Sequence, residues 1–398
     1  MLEDRTPYRD SYRFFDTVVA IRSDSRKFLE LFAGMYQRFR VDGRNQAQAT
    51  YYVIAEDGVL VVDDEILIFD DRESLVDRAY ECILDSVVAR IRSHILVHAG
   101  VISWNGQAVV LPAYSGHGKT TLILELVRRG FKFLSDEIAA FDRQRRQVAP
   151  FPRNLRVRPG TLALCGHTDL PSRSPSSPDS SSRSLRGSGP EGPGRHFAPA
   201  TSWRDKLILD IERIQPGSLG GPCPGGYVIV LSNPADSRKG LDEPDRTLHI
   251  VLERGTGGLV QEIQGIAGVK DVSSVPDVPL PVFRLCIERG ALVTPRIEEI
   301  CRGQGVRILN VIKGGEHSPD FQASPRLEPL SSAEATMELI RRFRGGPNSA
   351  LLQQEHQGSA AQLFLEVADM VSEMECYRLL VGRLNEMADL VCDLVRGE

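Results

Sequence analysis

Short apolar runs and two amphipathic stretches fill the N-terminal part of the chain. The run 13–21 predicts a strand, and the region between Thr50 and Phe69 predicts two or three more. Two other stretches have helical spacing and carry one apolar face each. They are 25–38, with Phe28, Leu29, Phe32 and Met35, and 73–92, with Leu75, Ala79, Ile83, Val87 and Ile91. We therefore assign 1–92 to a small α+β module that packs on the rest of the chain or contacts an acceptor.

The next pattern is a strand pair followed by a helix. Asn105-Gly106 between two apolar runs predicts a β-hairpin with a type I′ turn. The run 106–111 leads into a glycine-rich turn, after which 120–129 has apolar residues at helical spacing. A short apolar strand then ends in two adjacent carboxylates, Asp136 and Glu137. This succession makes 93–165 the first part of a core domain.

An abrupt change in composition interrupts this core. Between 166 and 200 the chain is mostly Ser, Pro, Gly and Arg. Such a segment cannot bury enough apolar surface to order itself, which predicts a disordered insertion. We assign 201–330 to a continuation of the core sheet and a variable region, because strand-like runs recur there. Those at 248–252, 281–287 and 306–312 point to no function.

The last segment, 331–398, predicts two helices and then a strand–helix unit. The first helix opens at Ser332 with a capping pattern, and the second spans 356–374. The residues from 375 to 391 predict a strand followed by a helix.

Composition narrows the class of protein. The chain has 398 residues, 41% hydrophobic and 25% charged, which is typical of a soluble protein with room for two or three domains. A net charge of −5 argues against a nucleic-acid partner. No apolar run approaches the roughly 20 residues that a membrane helix needs. The 7 cysteines form no C-x-x-C pair, and the N-terminal residues have no signal-peptide core. We expect a cytoplasmic protein without a membrane or nucleic-acid partner.

The glycine-rich turn carries the candidate chemistry. It follows the phosphate-binding pattern G-x-x-x-x-G-K-[ST], except that Ala113 replaces the first glycine. Backbone N–H groups and the dipole of the following helix would form an anion cradle, with Lys119 reaching the β- and γ-phosphates and Thr120 ligating Mg²⁺. The plain alternative is a glycine-rich turn with a solvated lysine. The predicted nucleotide-binding residues are Ala113, Ser115, Gly116, His117, Gly118, Lys119, Thr120 and Thr121.

With its flanks, this loop resembles the HPr kinase/phosphorylase superfamily. The matching residues are His98, 115–120, 129–131 and the pair Asp136-Glu137, at the family's spacings. The resemblance implies an α/β fold: a P-loop kinase core of the HPr kinase/PEP carboxykinase-like type, with the N-terminal α+β module and a C-terminal α/β extension. The family's second glycine-rich signature is absent from 148–160, as in divergent stand-alone members.

The same resemblance implies roles for individual residues. Asp136 would be the general base that takes a proton from a serine hydroxyl, and His98 would lie near the reacting phosphate. Together with Lys119 these are the predicted catalytic residues. Glu137 would join Thr120 as a metal ligand. His98 could instead be structural, Asp136 could cap the next element, and His117 either contacts phosphate or fills a variable position of the loop.

The leading hypothesis is therefore an ATP- and Mg²⁺-dependent phosphotransferase that acts on a serine of a protein or small precursor peptide. A nucleotide-binding module without catalysis and a small-molecule kinase remain alternatives. A simple ATPase lacks an identifiable arginine finger. Arg153, Arg156 and Arg158 form a basic run that either holds phosphates or lies on a solvated strand face. Family members often form rings, so a homo-oligomer stays open.

Overall fold

The protein is described here by a computed structural model that covers residues 2–42, 47–63, 65–69, 72–114, 116–157, 161, 207–233, 245–255, 258–275, 281–288, 293–306, 308–313, 321–342 and 360–397. These residues form sheets of six, eight, two and four strands with helices packed against them, a mixed α/β architecture. The predicted insertion 166–200 lies outside the described residues. Within the described part, no helix is both long enough and apolar enough to cross a bilayer.

The N-terminal module is a six-stranded sheet in the order β3-β1-β2-β4-β5-β6, with its two long helices packed on one face. Both predicted helices are present, and the apolar residues expected on their faces are buried. The strands are Tyr8–Phe14 (β1), Thr17–Ser23 (β2), Arg40–Val41 (β3), Ala49–Ile54 (β4), Val59–Val62 (β5) and Glu65–Ile68 (β6). The helices are Leu2–Arg5 (α1), Arg26–Tyr36 (α2) and Arg72–Arg90 (α3), and a 3₁₀ turn spans Gln37–Phe39.

The strand predicted over 13–21 is in fact a hairpin of β1 and β2. Phe15 at the turn has φ 55°, and its ring stacks on His94 with 3.8 Å between centroids. The Asp16 carboxylate accepts the backbone N–H groups of Arg92 and Ser93. The turn is therefore held by contacts with residues far along the chain. The local pattern of apolar residues does not encode such contacts.

The central sheet begins after α3. Its first strands are His94–Trp104 (β7), Gln107–Pro112 (β8), Lys132–Ser135 (β9), Ile138–Asp142 (β10) and Gln147–Ala149 (β11). Asn105 (φ 47°) and Gly106 (φ 77°) join β7 to β8, which confirms the predicted type I′ hairpin. Helix Lys119–Arg128 (α4) follows β8. The two-stranded sheet consists of Leu155–Val157 (β12) and Leu207–Leu209 (β13), and Ile211–Ile214 (α5) and Cys223–Ser232 (β14) come next.

A separate four-stranded unit covers the region to which the sequence assigned no function. Its elements run β-α-β-β-α-β, and its strands are antiparallel in the order β16-β17-β15-β18, which is the ferredoxin-like arrangement. They are Asp245–Leu252 (β15), Leu259–Gln264 (α6), Val269–Val275 (β16), Val282–Glu288 (β17), Thr294–Gly303 (α7) and Ile308–Lys313 (β18). We call these elements the ferredoxin-like unit.

The C-terminal elements return to the central sheet. They are Arg326–Pro329 (β19), Ser332–Ile340 (α8), Ala360–Ser372 (α9), Glu375–Leu380 (β20) and Leu384–Arg396 (α10). β20 pairs in parallel with β14, and β14 pairs in parallel with β8, so the sheet order is β11-β10-β7-β8-β14-β20-β19 with β9 beside β7. The terminal strand and helix, expected as an extension, are therefore part of the core, and α10 shares an apolar cluster with α4.

Two apolar clusters meet on one face of the central sheet. Ile102 of β7 packs in the cluster of α4, whereas Leu96 of the same strand packs in the cluster of the N-terminal module. His98 and Gly100 lie between them, because alternate residues of a strand share a face. The seam between α4 and the N-terminal module therefore runs across the middle of β7.

Candidate functional site

The glycine-rich loop leaves β8 without strain at Ala113. This residue is 1% exposed and forms a parallel bridge with Leu231 of β14, and its φ is not positive. Alanine therefore extends the sheet by one residue, and the absence of a glycine costs nothing there. Positive φ occurs instead at Gly116 (87°) and Gly118 (76°), where glycine is favoured. Ser115, predicted to bind nucleotide, lies outside the described residues.

Gly118 is also the N-cap of α4 and, as a glycine, brings no side chain of its own to cap this helix end. The helix N-terminus combines unsatisfied backbone donors with the positive end of the dipole. A Cβ at Gly118 would lie 3.1 Å from Cε1 of Phe321, so the ring covers one side of the loop. Lys119, Thr120 and Thr121 form the first turn of the helix and are all half-buried.

Lys119 meets His98 across the seam. Its Nζ lies 3.1 Å from Nε2 of His98. If Lys119 is charged, its ammonium group donates and Nε2 accepts, and a neutral His98 would then carry its proton on Nδ1. Gly100 makes this approach possible, because a Cβ there would lie 2.2 Å from Cδ1 of Ile123 and 3.4 Å from Cγ of Lys119. The local sequence gave no reason to single out Gly100.

Asp136 and Glu137, which we call the acidic pair, interrupt the run from β9 to β10. The Glu137 carbonyl accepts the N–H of Ala99 (3.1 Å), and the buried Ser135 hydroxyl accepts the N–H groups of Glu137 (3.2 Å) and Ile138 (2.9 Å). These bonds fix the bend beside β7. Asp136 is 4% exposed, and the Glu137 side chain is 15% exposed.

The strand register brings the acidic pair level with the loop. Pro112 at the end of β8 pairs with Ala99, and Ser135 at the end of β9 pairs with Val101 on the opposite edge of β7. With neighbouring strands about 4.8 Å apart, the two strand ends lie roughly 10 Å from each other. The predicted catalytic residues His98, Lys119 and Asp136 thus lie around one short segment of β7.

Arg153 is the main residue that the sequence left undecided. Its Nε lies 3.2 Å from Oδ1 of Asp136 and its Nη2 lies 3.3 Å from Oδ2, and it also pairs with Glu137. Its side chain is only 11% exposed. Burial alone would lower the pKa of Arg153, but the charges of Asp136 and Glu137 outweigh this effect and raise it. Arg153 is therefore not on a solvated strand face.

His117 and Arg342 are buried and both contact the ring of Tyr114, at the start of the loop. His117 is 2% exposed, and its ring lies 5.7 Å from that of Tyr114, so it packs against protein. The guanidinium of Arg342, which follows α8, lies 4.2 Å above the Tyr114 ring. The Arg342 carbonyl accepts the backbone N–H of His98 at 2.7 Å. The end of α8 thus buttresses both the loop and β7.

The side-chain oxygens available near the loop suit a cation that is held mainly by a bound phosphate ligand. Among the described residues, no group of three or more His, Cys, Asp and Glu side chains is placed to hold a metal. Glu137 and Thr120 offer one carboxylate and one hydroxyl. Mg²⁺ commonly binds through one or two protein oxygens, with phosphate and water completing its octahedron. The residues present therefore fit Mg²⁺ delivered with a nucleotide.

Comparison with known proteins adds little to this geometry. No family model matches the chain, and no curated protein matches it. Among solved structures, the chain is similar to the Hpr(Ser) kinase/phosphatase from Coxiella burnetii. The likeness covers 53% of this chain and 95% of that chain, with 12% identity and a TM-score of 0.21. A score this low carries no argument about fold or function.

Proposed function

We propose that the chain is a phosphotransferase that moves the γ-phosphoryl group of Mg-ATP to a hydroxyl group. The observation that carries the proposal is the 3.1 Å contact between Lys119 and His98, at a helix N-terminus whose N-cap is glycine and level with a buried acidic pair. Phosphoryl transfer depends on positioning and on neutralising charge at the phosphates. A lysine, a helix dipole and a nearby carboxylate supply these needs.

Each residue has a defined task in this proposal. The N–H groups at the start of α4 hold the β-phosphate, and Lys119 donates to the β- and γ-phosphates. His98, neutral and protonated on Nδ1, fixes the lysine. Glu137 and Thr120 would hold Mg²⁺, which supplies positive charge at the phosphates when bound.

The transfer itself breaks one bond and forms one. The acceptor oxygen bonds to the γ-phosphorus, the bond from that phosphorus to the β–γ bridging oxygen breaks, and the hydroxyl proton passes to Asp136. Arg153 uses one lone pair on each Asp136 oxygen, and each oxygen keeps a second lone pair for the acceptor hydroxyl. By the resemblance of the motifs, we propose a serine of a protein or peptide as the acceptor.

Arg153 favours a second candidate, a nucleotide-binding module without catalysis. An acidic pair already neutralised by a buried arginine is also a stable structural arrangement. In that case nucleotide would bind at the loop, and no phosphoryl group would be transferred.

Calorimetry with Mg-ATP tests the premise that both candidate functions share, namely that the glycine-rich loop binds nucleotide. Lys119→Ala removes a charge-assisted contact and should weaken binding on the order of a hundredfold. Lys132→Ala is the matched control, because Lys132 lies on β9 and donates to the Gly217 carbonyl on the surface. Wild-type protein that binds no Mg-ATP would overturn both candidates. A second assay then measures transfer of labelled γ-phosphate to serine-containing peptides. Transfer is expected of the phosphotransferase and not of the nucleotide-binding module without catalysis.

A further inference from the structure

Three charges are almost entirely withdrawn from water beside β7. The exposed fractions are 4% for the Asp136 and 15% for the Glu137 side chain, against 11% for that of Arg153. Two adjacent carboxylates at such depth repel each other strongly unless a cation lies between them. Arg153 is that cation, since it contacts both. A divalent cation at Glu137 would perform the same electrostatic task.

The backbone around Arg153 is fixed on both sides of the seam. Phe151 packs with Phe14 and Phe39 of the N-terminal module, and Leu155 packs in the cluster of α4. Asn154 donates its backbone N–H to the Met35 carbonyl (2.8 Å) and its side-chain amide to the Gly34 carbonyl (2.6 Å). The arginine therefore cannot leave the site as a whole, and only its guanidinium can shift.

The two carboxylates are held differently. Asp136 faces Nε and Nη2 together, a two-point contact that fixes its orientation. Glu137 pairs with Nη2 of the same guanidinium. A cation at Glu137 has to displace the Nη2 contact, whereas the Nε contact to Asp136 does not involve Glu137.

We propose that Arg153 is a resident counter-ion that positions Asp136 and competes with the divalent cation for Glu137. The proposal deepens the phosphotransferase function and rests on it for the presence of a cation. In this arrangement the cation alone is a weak ligand, because it must displace the arginine. A cation that arrives with nucleotide phosphates gains the extra ligands needed to win Glu137. The site thus loads metal and nucleotide together.

Binding of Mn²⁺ alone, followed by electron paramagnetic resonance without nucleotide, tests the competition. Arg153→Gln should bind Mn²⁺ about tenfold more tightly than wild type or better, because a nearby positive charge is removed. Arg145→Gln is the matched control, since Arg145 pairs with Asp142 and its side chain is 77% exposed. Adding Glu137→Gln to Arg153→Gln should abolish the gain.

If Arg153→Gln does not fold, Arg153→Lys replaces it in the test. Lysine keeps the charge but cannot span two carboxylates, so we expect Arg153→Lys to bind Mn²⁺ severalfold more tightly than wild type. Circular dichroism and a urea midpoint verify folding. Folded variants that bind Mn²⁺ no better than wild type, or not at all, overturn the proposal, as does a gain that survives Glu137→Gln. The Mn²⁺ measurement needs no nucleotide, so its outcome is independent of whether the wild-type protein binds Mg-ATP. Failure of this proposal can therefore be distinguished from failure of the proposed function.

Discussion

The central sheet and the ferredoxin-like unit are both built from strands with helices packed against them, yet only the central sheet buries charge. Asp136, Glu125 and Arg342 are each at most 5% exposed there. Among the described side chains of the ferredoxin-like unit, the buried ones are apolar or cysteine. Its strands form a succession of antiparallel pairs, with register shifts at Val251/Leu252 and Val269/Asp271. Chemistry is therefore expected beside the buried charges of the central sheet.

The interruptions in the central sheet are specific. The run from β9 to β10 breaks at the acidic pair, Gly100 replaces a side chain on β7, and two residues with positive φ bend the loop before α4. Each irregularity costs packing or conformational entropy. Their coincidence with buried charge around one segment of β7 is the physical reason to place function there. The ferredoxin-like unit also has register shifts and glycines with positive φ, but none of its described side chains is a buried charge.

The largest expected effect tests the acidic pair. Asp136→Asn removes the proton acceptor but keeps the shape of the side chain, so transfer should slow by about 10²–10⁴ while Mg-ATP affinity is retained. Measured single-turnover rates and calorimetry separate these outcomes. Asp142→Asn is the matched control, because Asp142 is also buried near the same strand and its Oδ1 accepts two backbone N–H groups, which asparagine can also do. Equal loss of rate and affinity would reject Asp136 as the base.

A smaller effect tests the close approach of α4 to β7. Gly100→Ala places a methyl 2.2 Å from Cδ1 of Ile123, so the Ile123 side chain or α4 itself must shift. We expect a loss of about 1–3 kcal/mol in the free energy of unfolding, measured with urea, together with weaker Mg-ATP binding. Gly221→Ala provides the control, since no atom lies within 4 Å of its added Cβ. A neutral Gly100→Ala would mean that the contact is not needed to hold Lys119.

Much of this arrangement is encoded locally. The hairpin at Asn105-Gly106, the apolar faces of α2 and α3, and the strand–loop–helix pattern around Lys119 follow from short-range rules. Contacts between residues of separate segments do not follow from these rules, because they form only in the folded state. Arg153 looked like part of a basic run, because its partnership with Asp136 depends on how 150–154 crosses the seam.

The ferredoxin-like unit illustrates the same limit. Its strands at 248–252, 281–287 and 306–312 were predicted, but their pairing order is a property of the assembled sheet. The turn at Phe15 was missed because a ring stacked on His94 holds it, and no glycine or proline marks the position.

The smallest effect compares the two regions through one buried cysteine in each. Burial raises the pKa of Cys301, on α7 of the ferredoxin-like unit, from 9.0 to about 11, with a smaller contribution from Glu262. Burial likewise raises the pKa of Cys376, on β20 of the central sheet, to about 11. Both thiols should therefore react slowly with thiol reagents near neutral pH until their own region opens.

The sign of the pH dependence follows from proton counts. Above pH 9 the unfolded thiols lose protons that the folded thiols keep, so stability is complete below pH 9 and declines between pH 9 and about 11. Each cysteine should contribute a loss of about 1 kcal/mol by pH 10. Urea midpoints of wild type and Cys301→Ala at pH 8 and 10 isolate one thiol, and Cys376→Ala isolates the other. If the ferredoxin-like unit unfolds separately, Cys301→Ala will change only its own transition, whereas a change in a single shared transition would show that the two regions are coupled.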